Sequence, residues 1–174
     1  MLSQTLPYLS ELSVFSYGFT TEGQLVYPAL DDTWMVEEAA AAGTSATLTL
    51  TPLGEDGRFN NQLVSVLVNQ ENVQLVLLRN LVRVMTEKGY QGMNIDFEYI
   101  LGQDRDAFTA FVARATRLLN QFGFYVTAAL APKNADNQPG LLYEGMDYAG
   151  LGEAANGVLL MTYEWGYTLK PTGL

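Results

Sequence analysis

Alternating side chains in residues 90–99 place two carboxylates on one side of a predicted strand. Successive side chains of a strand point to opposite faces. The apolar members of the run share one face: Met93, Ile95 and Phe97. The polar members share the other face: Asn94, Asp96 and Glu98. Burying a polar group without a partner costs about 2–7 kcal/mol, and a charge costs more. Because sequences keep such patterns mainly at functional sites, the run predicts a catalytic strand.

Paired carboxylates are suited to general acid–base chemistry. Along the strand, Asp96 and Glu98 stand roughly 6–7 Å apart. Burial and a neighbouring negative charge both raise a carboxyl pKa, and a carboxylic acid that stays protonated near neutral pH can protonate a leaving group. Two alternatives are a structural hydrogen-bond network and a Mg²⁺ or Ca²⁺ site that adds Asp56. The apolar flanks and the strand-end position favour catalysis, and no dedicated metal loop occurs, so we expect neither metal nor cofactor.

Strands alternate with helices along the chain. The predicted strands are residues 12–19, 46–51, 93–98, 124–130 and 157–163. The predicted helices are residues 31–42, a short one around 63–67, then 73–88, 104–121 and 148–155. This order predicts a mostly parallel sheet, either doubly wound or part of a (β/α)₈ barrel. In both architectures ligands gather at the carboxyl ends of the strands, where Glu98 and Tyr163 fall.

Composition narrows the function classes. The 174 residues carry a formal net charge of −10 and include no histidine and no cysteine. The charge disfavours nucleic acid or an anionic membrane as a partner. Without histidine or cysteine there is no Ser-His-Asp triad, no thiol chemistry and no histidine zinc ligand. We expect one domain, and the N-terminus does not resemble a signal peptide.

Further candidates come from other predicted strand ends. Tyr163 is followed by Glu164 and Trp165, and a carboxylate beside an indole suits a sugar through hydrogen bonding and stacking. Tyr17, at the end of the first strand, is a weaker candidate, because an aromatic residue in an apolar strand is commonly part of the core. Three polar residues are interpreted as ordinary loop residues: Asn60, Asn61 and Lys133.

Two motifs resemble a known enzyme family. Residues 91–98, Gln-Gly-Met-Asn-Ile-Asp-Phe-Glu, resemble the Asp-Gly-x-Asp-x-Asp-x-Glu motif of family 18 glycoside hydrolases, the chitinase-like (β/α)₈ barrels. Residues 161–164, Met-Thr-Tyr-Glu, resemble the family's Met-x-Tyr-Asp on a later strand. The chain is similar over its whole length to one branch, the spore cortex-lytic N-acetylglucosaminidases. The segments that carry this similarity are residues 15–19, 51–54, 94–99, 131–133 and 161–167.

The resemblance implies substrate-assisted hydrolysis, an exception to the two-carboxylate scheme. Glu98 would protonate the glycosidic oxygen, Asp96 would support the acetamido group that attacks the anomeric carbon, and Tyr163 would orient that group. Substrate contacts are expected from six residues: Asn94, Tyr17, Tyr99, Met161, Glu164 and Trp165. The implied substrate is peptidoglycan or another N-acetylglucosamine-containing glycan, which implies a spore or cell-wall location.

The chain departs from the family pattern in its motif and in its length. Gln91 and Asn94 stand where the motif has aspartates, although the cortex-lytic branch resembles this chain in having the second substitution. The family also implies non-proline cis peptides, expected here at Glu98–Tyr99 and Ser16–Tyr17. A full barrel needs about 250 residues, whereas residues 1–174 supply about five strands. We therefore expect a partial catalytic domain that self-associates through open sheet edges.

Three functions remain open from the sequence. Intact Asp96 and Glu98 favour a glycosidase. The missing strands favour a catalytically silent carbohydrate-binding fragment of a spore or wall protein. A metal-dependent (β/α) enzyme is the third interpretation, and it predicts loss of activity with chelators.

Overall fold

The computed structural model describes residues 2–163, which form a mostly parallel sheet covered by helices. The strands are β1 (Glu11–Phe19), β2 (Leu25–Val26), β3 (Ser45–Leu50), β4 (Gly92–Ile95), β5 (Tyr125–Leu130) and β6 (Gly157–Leu160). The helices are α1 (Leu2–Thr5), α2 (Thr33–Ala42), α3 (Gln62–Asn69), α4 (Glu71–Lys88), α5 (Arg105–Gln121) and α6 (Tyr148–Ala154). None of these helices is both long enough and apolar enough to cross a membrane.

The sheet order is β2-β1-β3-β4-β5-β6. All five predicted strands are present and pair in parallel, in chain order. The added element is β2, a two-residue strand that pairs antiparallel with β1. The sheet formed by these residues does not close on itself. The prediction of an incomplete barrel with about five parallel strands is therefore confirmed.

One face of the sheet supplies the core. Register places two apolar rows on it: Leu48, Met93 and Val126, then Leu50, Ile95 and Ala128. All six are buried, and the next residue on this side of β4, Phe97, lies between Phe108 and Phe111 of α5. The amphipathic spacing of α5 predicts this contact, since its buried residues recur every three or four positions.

The opposite face is polar. Register places Thr47 beside Ser13, and Thr49 beside Asn94 and Thr127. Near the amino ends of the strands, Glu11 accepts hydrogen bonds from Thr47 at 2.8 Å and from Tyr125 at 3.0 Å. Hydrogen bonding of this kind makes a buried polar surface tolerable. For β4, the predicted separation of Met93 and Ile95 from Asn94 onto opposite faces is thus confirmed.

The buried carboxylate of Asp32 links the carboxyl end of β1 to helices α2 and α4. The Asp32 side chain, which is 1% exposed, accepts hydrogen bonds from Tyr17 at 2.7 Å, from Tyr90 and from Lys88. Burial alone would raise the pKa of Asp32, but these donors outweigh it and hold the pKa below its usual range. Tyr17 itself is fully buried. The prediction that Tyr17 contacts substrate is therefore wrong: its side chain is used to bind Asp32.

Gly18 lies where β1 passes close to the backbone at Leu53. A Cβ at this position would stand 1.9 Å from the Leu53 carbonyl oxygen, which accepts a hydrogen bond from Phe19. We expect Gly18→Ala to destabilise the fold by more than about 2 kcal/mol, because overpacking against backbone costs typically 1–3 kcal/mol or more. The melting temperature should fall by about 4 °C or more.

Gly152→Ala is the matched control for that measurement. A Cβ at Gly152, in α6, meets nothing within 4 Å, and alanine is favoured over glycine inside a helix by about 1 kcal/mol. Calorimetry should show this control equal to or above the wild type. Equal melting temperatures for Gly18→Ala and wild type would contradict the close approach at Leu53.

The strand β6 forms one edge of the sheet within residues 2–163. Val158, Leu159 and Leu160 are each between 44% and 49% exposed. The predicted strand continued to residue 163, but the ladder with β5 ends at Leu160. Beyond it, Met161 still donates a backbone hydrogen bond to Leu130 at 3.0 Å. Apolar side chains on both faces of an edge strand are a surface on which further protein can pack.

Candidate active site

The two carboxylates of the predicted catalytic strand open into one cavity at the carboxyl end of β4. The cavity encloses about 210 Å³ and is lined by Phe15, Thr51, Pro52, Phe59, Asn61, Asp96, Glu98 and Tyr99. The ladder of β4 ends at Ile95, so both carboxylates lie just past the strand, not within it. Glu98 is exposed and Asp96 is half-buried. Both carboxylates line one cavity, and the more exposed of the two is Glu98.

Asp96 is held in an environment that disfavours its charge. Its backbone N–H donates to the Leu50 carbonyl at 2.9 Å, which ties it to β3. Its Oδ1 atom is buried and has no hydrogen-bond partner among the described residues. Burial, and then the negative charge of Glu98, raise the pKa of Asp96. A carboxylate with an unsatisfied buried oxygen is ready to accept a hydrogen bond from a ligand.

Asn94 and Thr49 form the floor beneath Asp96. Asn94 is 5% exposed, and its Oδ1 accepts a hydrogen bond from Thr127 at 3.0 Å. The Oγ1 of Thr49 is buried without a partner among the described residues. Asn94 does not line the cavity, and its contact with substrate stays a prediction.

Aromatic rings form one wall of the cavity. Phe15 and Phe59 are 61% and 60% exposed, with ring centroids 6.4 Å apart and planes inclined at 50°. Tyr99, 39% exposed, lines the cavity as predicted. Exposed aromatic faces beside carboxylates are suited to stacking on the apolar face of a sugar. Sequence reasoning missed both phenylalanines, although Phe15 follows the two-residue alternation that carries Glu11 and Ser13 on the polar face.

A loop residue also belongs to the cavity. Asn61 lines it, although the sequence interpretation assigned Asn61 and Asn60 to an ordinary loop. The loop is closed by a Leu53–Phe59 bridge and by the Asn60 N–H, which donates to the Pro52 carbonyl at 2.8 Å. This closure, which no side-chain pattern reveals, turns Phe59 and Asn61 toward the cavity.

Of the four candidates at the last predicted strand, the structure describes Met161 and Tyr163. Tyr163 is 70% exposed and Met161 is 9% exposed, and neither is among the described residues that line the cavity. Glu164 and Trp165 lie outside the described residues. The grouping of these four with Asp96 and Glu98 therefore stays a prediction.

The predicted cis peptides are corrected by the structure. The only cis bond within residues 2–163 joins Phe15 and Ser16. The prediction at Ser16–Tyr17 is thus wrong by one residue, at the place where the register between β1 and β3 shifts. The prediction at Glu98–Tyr99 is also wrong, because this peptide bond is trans.

A metal site at these carboxylates is not supported by the described part of the chain. Within residues 2–163, no three side chains of His, Cys, Asp or Glu lie close enough together to hold an ion. Asp56, the third ligand considered, instead accepts a hydrogen bond from the Arg58 backbone N–H at 3.0 Å.

Known proteins with similar sequence or structure include spore cortex-lytic enzymes and chitinases. The chain is 37% identical over 165 residues to the cortical fragment-lytic enzyme of Bacillus subtilis (strain 168), covering 95% of this chain and 38% of that protein. The spore cortex-lytic enzyme SleL of Bacillus megaterium matches with a TM-score of 0.88 at 30% identity, over 96% of this chain and 38% of that one. A class V chitinase of Pseudomonas fluorescens matches with a TM-score of 0.88 at 26% identity, over 99% of this chain and 52% of that one. No protein-family model matches the sequence.

These similarities define the class of protein. The chain is a homologue of the chitinase-like glycoside hydrolases of family 18. Within that class it is related to the spore cortex-lytic enzymes, and the predicted family resemblance is confirmed. The chain spans 38% of the length of the first of these relatives.

Proposed function

We propose that residues 1–174 form part of a glycoside hydrolase domain that cleaves β-1,4-linked N-acetylglucosamine bonds. The proposed substrate is peptidoglycan of the spore cortex or cell wall, or a chitin-like glycan. The observation that carries this proposal is the shared cavity of Asp96 and Glu98 beside an aromatic wall. The names of the relatives, a cortical fragment-lytic enzyme and a class V chitinase, support the same substrate class.

The exposed Glu98 is the proposed proton donor. Its carboxylic acid gives a proton to the glycosidic oxygen as the bond to the anomeric carbon breaks. The carbonyl oxygen of the substrate's own 2-acetamido group attacks that carbon and forms an oxazolinium ion. Glu98, now a carboxylate, takes a proton from the incoming water, and the sugar is released with its configuration retained. Exposure to the cavity gives Glu98 access to both the leaving group and the water.

The shielded Asp96 is the proposed partner of the acetamido group. The N–H of that group would donate to the carboxylate, which would stabilise the positive charge of the oxazolinium ion. The buried environment of Asp96 supports this role, because electrostatic interactions are stronger where water is excluded. We place Tyr163 at the acetamido carbonyl by resemblance alone.

Product analysis tests the proposal. The chain and its Glu98→Gln variant would be incubated with purified spore cortex peptidoglycan and with chitin oligosaccharides, and soluble products identified by mass spectrometry. We expect fragments with N-acetylglucosamine at a new reducing end from the wild type alone. Absence of products from both proteins would overturn the proposal that this chain is a hydrolase.

A catalytically silent binding module is the second candidate. It is favoured by the open sheet, in which Val158, Leu159 and Leu160 of the β6 edge remain exposed. Retention of both proteins by insoluble peptidoglycan, without soluble products, would support binding alone.

The exposed β6 edge also leads us to propose that the chain self-associates. Light scattering would detect self-association as a mass above 19.1 kDa.

The aromatic wall predicts a binding defect. Phe59→Ala removes half of the Phe15–Phe59 wall, and burying a phenylalanine side chain contributes about 1.5–3 kcal/mol. Since the ring is already partly covered, we expect a loss of about 1–2 kcal/mol, which raises KM about 5–30-fold and leaves kcat within about twofold. Such a pattern indicates binding that is uniform between ground state and transition state.

A control separates this effect from the loss of any exposed phenylalanine. Phe122, 57% exposed, lies just past α5 and away from the cavity. Steady-state kinetics on soluble oligosaccharides should show the Phe122→Ala variant with the wild-type KM. Equal KM values for Phe59→Ala and wild type would exclude the wall from glycan binding.

A further inference from the structure

A buried lysine organises the loop behind the proposed catalytic carboxylate. The side chain of Lys133, just past β5, is only 1% exposed. Its ammonium donates to three backbone carbonyls, those of Asp136 at 2.8 Å, Tyr143 at 3.4 Å and Met146 at 2.6 Å. It also lies 5.2 Å from the centre of the Tyr148 ring. Lysine is almost never buried unless it is paired, so this arrangement replaces the water that the ammonium has lost.

A second cation holds the same loop from the side of α5. Arg105 donates to the Met146 carbonyl at 3.1 Å and to the Glu144 carbonyl at 3.3 Å. Its other nitrogen contacts both carboxylate oxygens of Asp136, at 2.8 and 3.0 Å. Lys133 and Arg105 thus both donate to one carbonyl, that of Met146. The loop of residues 136–147 is fixed between them.

The loop of residues 136–147 contacts the segment that carries Glu98. A Cβ placed on Gly145 would stand 2.3 Å from the carbonyl oxygen of Ile100, so the two backbones touch. Ile100 is buried, and it lies two residues after Glu98. Glu98 is exposed and lies beyond the end of β4. The position of Glu98 therefore depends on the loop that packs against Ile100.

We propose that Lys133 is a positioning residue for Glu98, acting through the carbonyl of Met146, Gly145 and Ile100. Its catalytic consequence rests on the proposed function. The positioning itself does not, because it can be measured in the free protein. Displacement of a reacting group by about 1 Å can cost about a hundredfold in rate, so even a small relaxation of the loop should lower kcat.

The first test is made without substrate. Lys133→Met keeps the length and apolar body of the side chain but removes the donors. In methyl and carboxyl NMR spectra of the full chain, we expect the Ile100 methyl and Glu98 carboxyl signals to shift while those of Val126, in the core, stay in place. Unchanged Ile100 and Glu98 signals in the folded variant would overturn the inference.

A second variant keeps the test valid should Lys133→Met not fold. Gly145→Ala pushes against the Ile100 carbonyl directly and leaves Lys133 intact, and it should shift the same two signals. The matched control is Lys88→Met, which removes a lysine that is 22% exposed and bound to Asp32. That control should lower the melting temperature without moving the Ile100 or Glu98 signals; if it moves them equally, the effect is a general loss of stability and the inference fails.

The catalytic test uses chemical rescue. In Lys133→Ala, kcat should fall about 10–100-fold with KM within about twofold. Ethylammonium at millimolar concentration should restore part of kcat by occupying the vacated position, whereas tetramethylammonium, which has no N–H donor, should not. A fall in kcat that ethylammonium does not relieve would contradict the role of the ammonium. Absence of turnover in the wild type would count against the proposed function, and the NMR outcome would still decide the positioning.

Discussion

Replacing Glu98 by glutamine is expected to abolish hydrolysis, with kcat/KM reduced by about 10³–10⁴-fold. Glutamine has nearly the same shape but can neither donate the acid proton nor accept one from water. General acid–base catalysis contributes about 10²–10⁴-fold, and Glu98 is proposed to act once as acid and once as base. Because the side chain is exposed, the fold should tolerate the change, and the melting temperature should stay within about 2 °C of the wild type.

Initial rates on a fluorogenic N-acetylglucosamine oligosaccharide would give the ratio of kcat/KM between the wild type and Glu98→Gln. Glu38→Gln, an equally exposed carboxylate on α2, is the matched control and should keep the wild-type rate. The affinity of Glu98→Gln for the intact oligosaccharide, measured by calorimetry, should remain within about threefold, because uniform binding is not removed with the acid. Hydrolysis within tenfold of the wild type would exclude Glu98 as the acid.

The sequence predicted β3 and β4 well because their side chains alternate between the two faces. Met93, Ile95 and Phe97 are all fully buried on the helix side, while Asp96 opens to the cavity. Parallel strands buried on one side by helices repeat this pattern from element to element. The buried face of α5 was predicted for the same reason: in such a fold, an apolar stripe at helical spacing packs against the sheet.

Contacts made by the backbone explain most of what the sequence did not predict. The hydrogen-bond acceptors of the Lys133 ammonium are backbone carbonyl oxygens, which every residue has, so the side-chain pattern does not single out this buried site. Phe59 reaches the cavity through a loop closed by backbone hydrogen bonds. Tyr17 was misassigned for a related reason: its partner, Asp32, is fifteen residues away at the N-cap of α2, and no motif links the two.

Replacing Asp96 by asparagine is expected to raise the stability of the fold and to lower the activity. The pKa of Asp96 is raised in the folded protein, first by burial and then by the charge of Glu98. A carboxyl group of this kind binds its proton more tightly when folded than when unfolded. Its ionisation therefore destabilises the fold as pH rises above the unfolded value, near 3.9, and the whole cost is present above the folded pKa.

Asparagine removes that cost, because it carries no charge. The melting temperature of Asp96→Asn should exceed that of the wild type at pH 7 by a few degrees, since about 1 kcal/mol corresponds to about 2–4 °C in a chain of this size. The difference should shrink as the pH is lowered through the folded pKa of Asp96, where the wild-type carboxyl group is protonated as well. Calorimetry between pH 3 and 8 measures this directly.

Activity should change in the opposite direction. A neutral amide cannot stabilise the positive charge of the oxazolinium ion, and the loss of one preorganised electrostatic group costs about 10²–10³-fold in kcat. In the wild type, the rate should fall on the acid side as Asp96 is protonated, at a pH above that of an ordinary aspartate. A variant that is both more stable and far slower would establish that Asp96 is kept charged for catalysis at the expense of the fold. A variant less stable than the wild type at pH 7 would instead show that the carboxylate is a structural partner, which is the alternative that the Asp-x-Glu pattern leaves open.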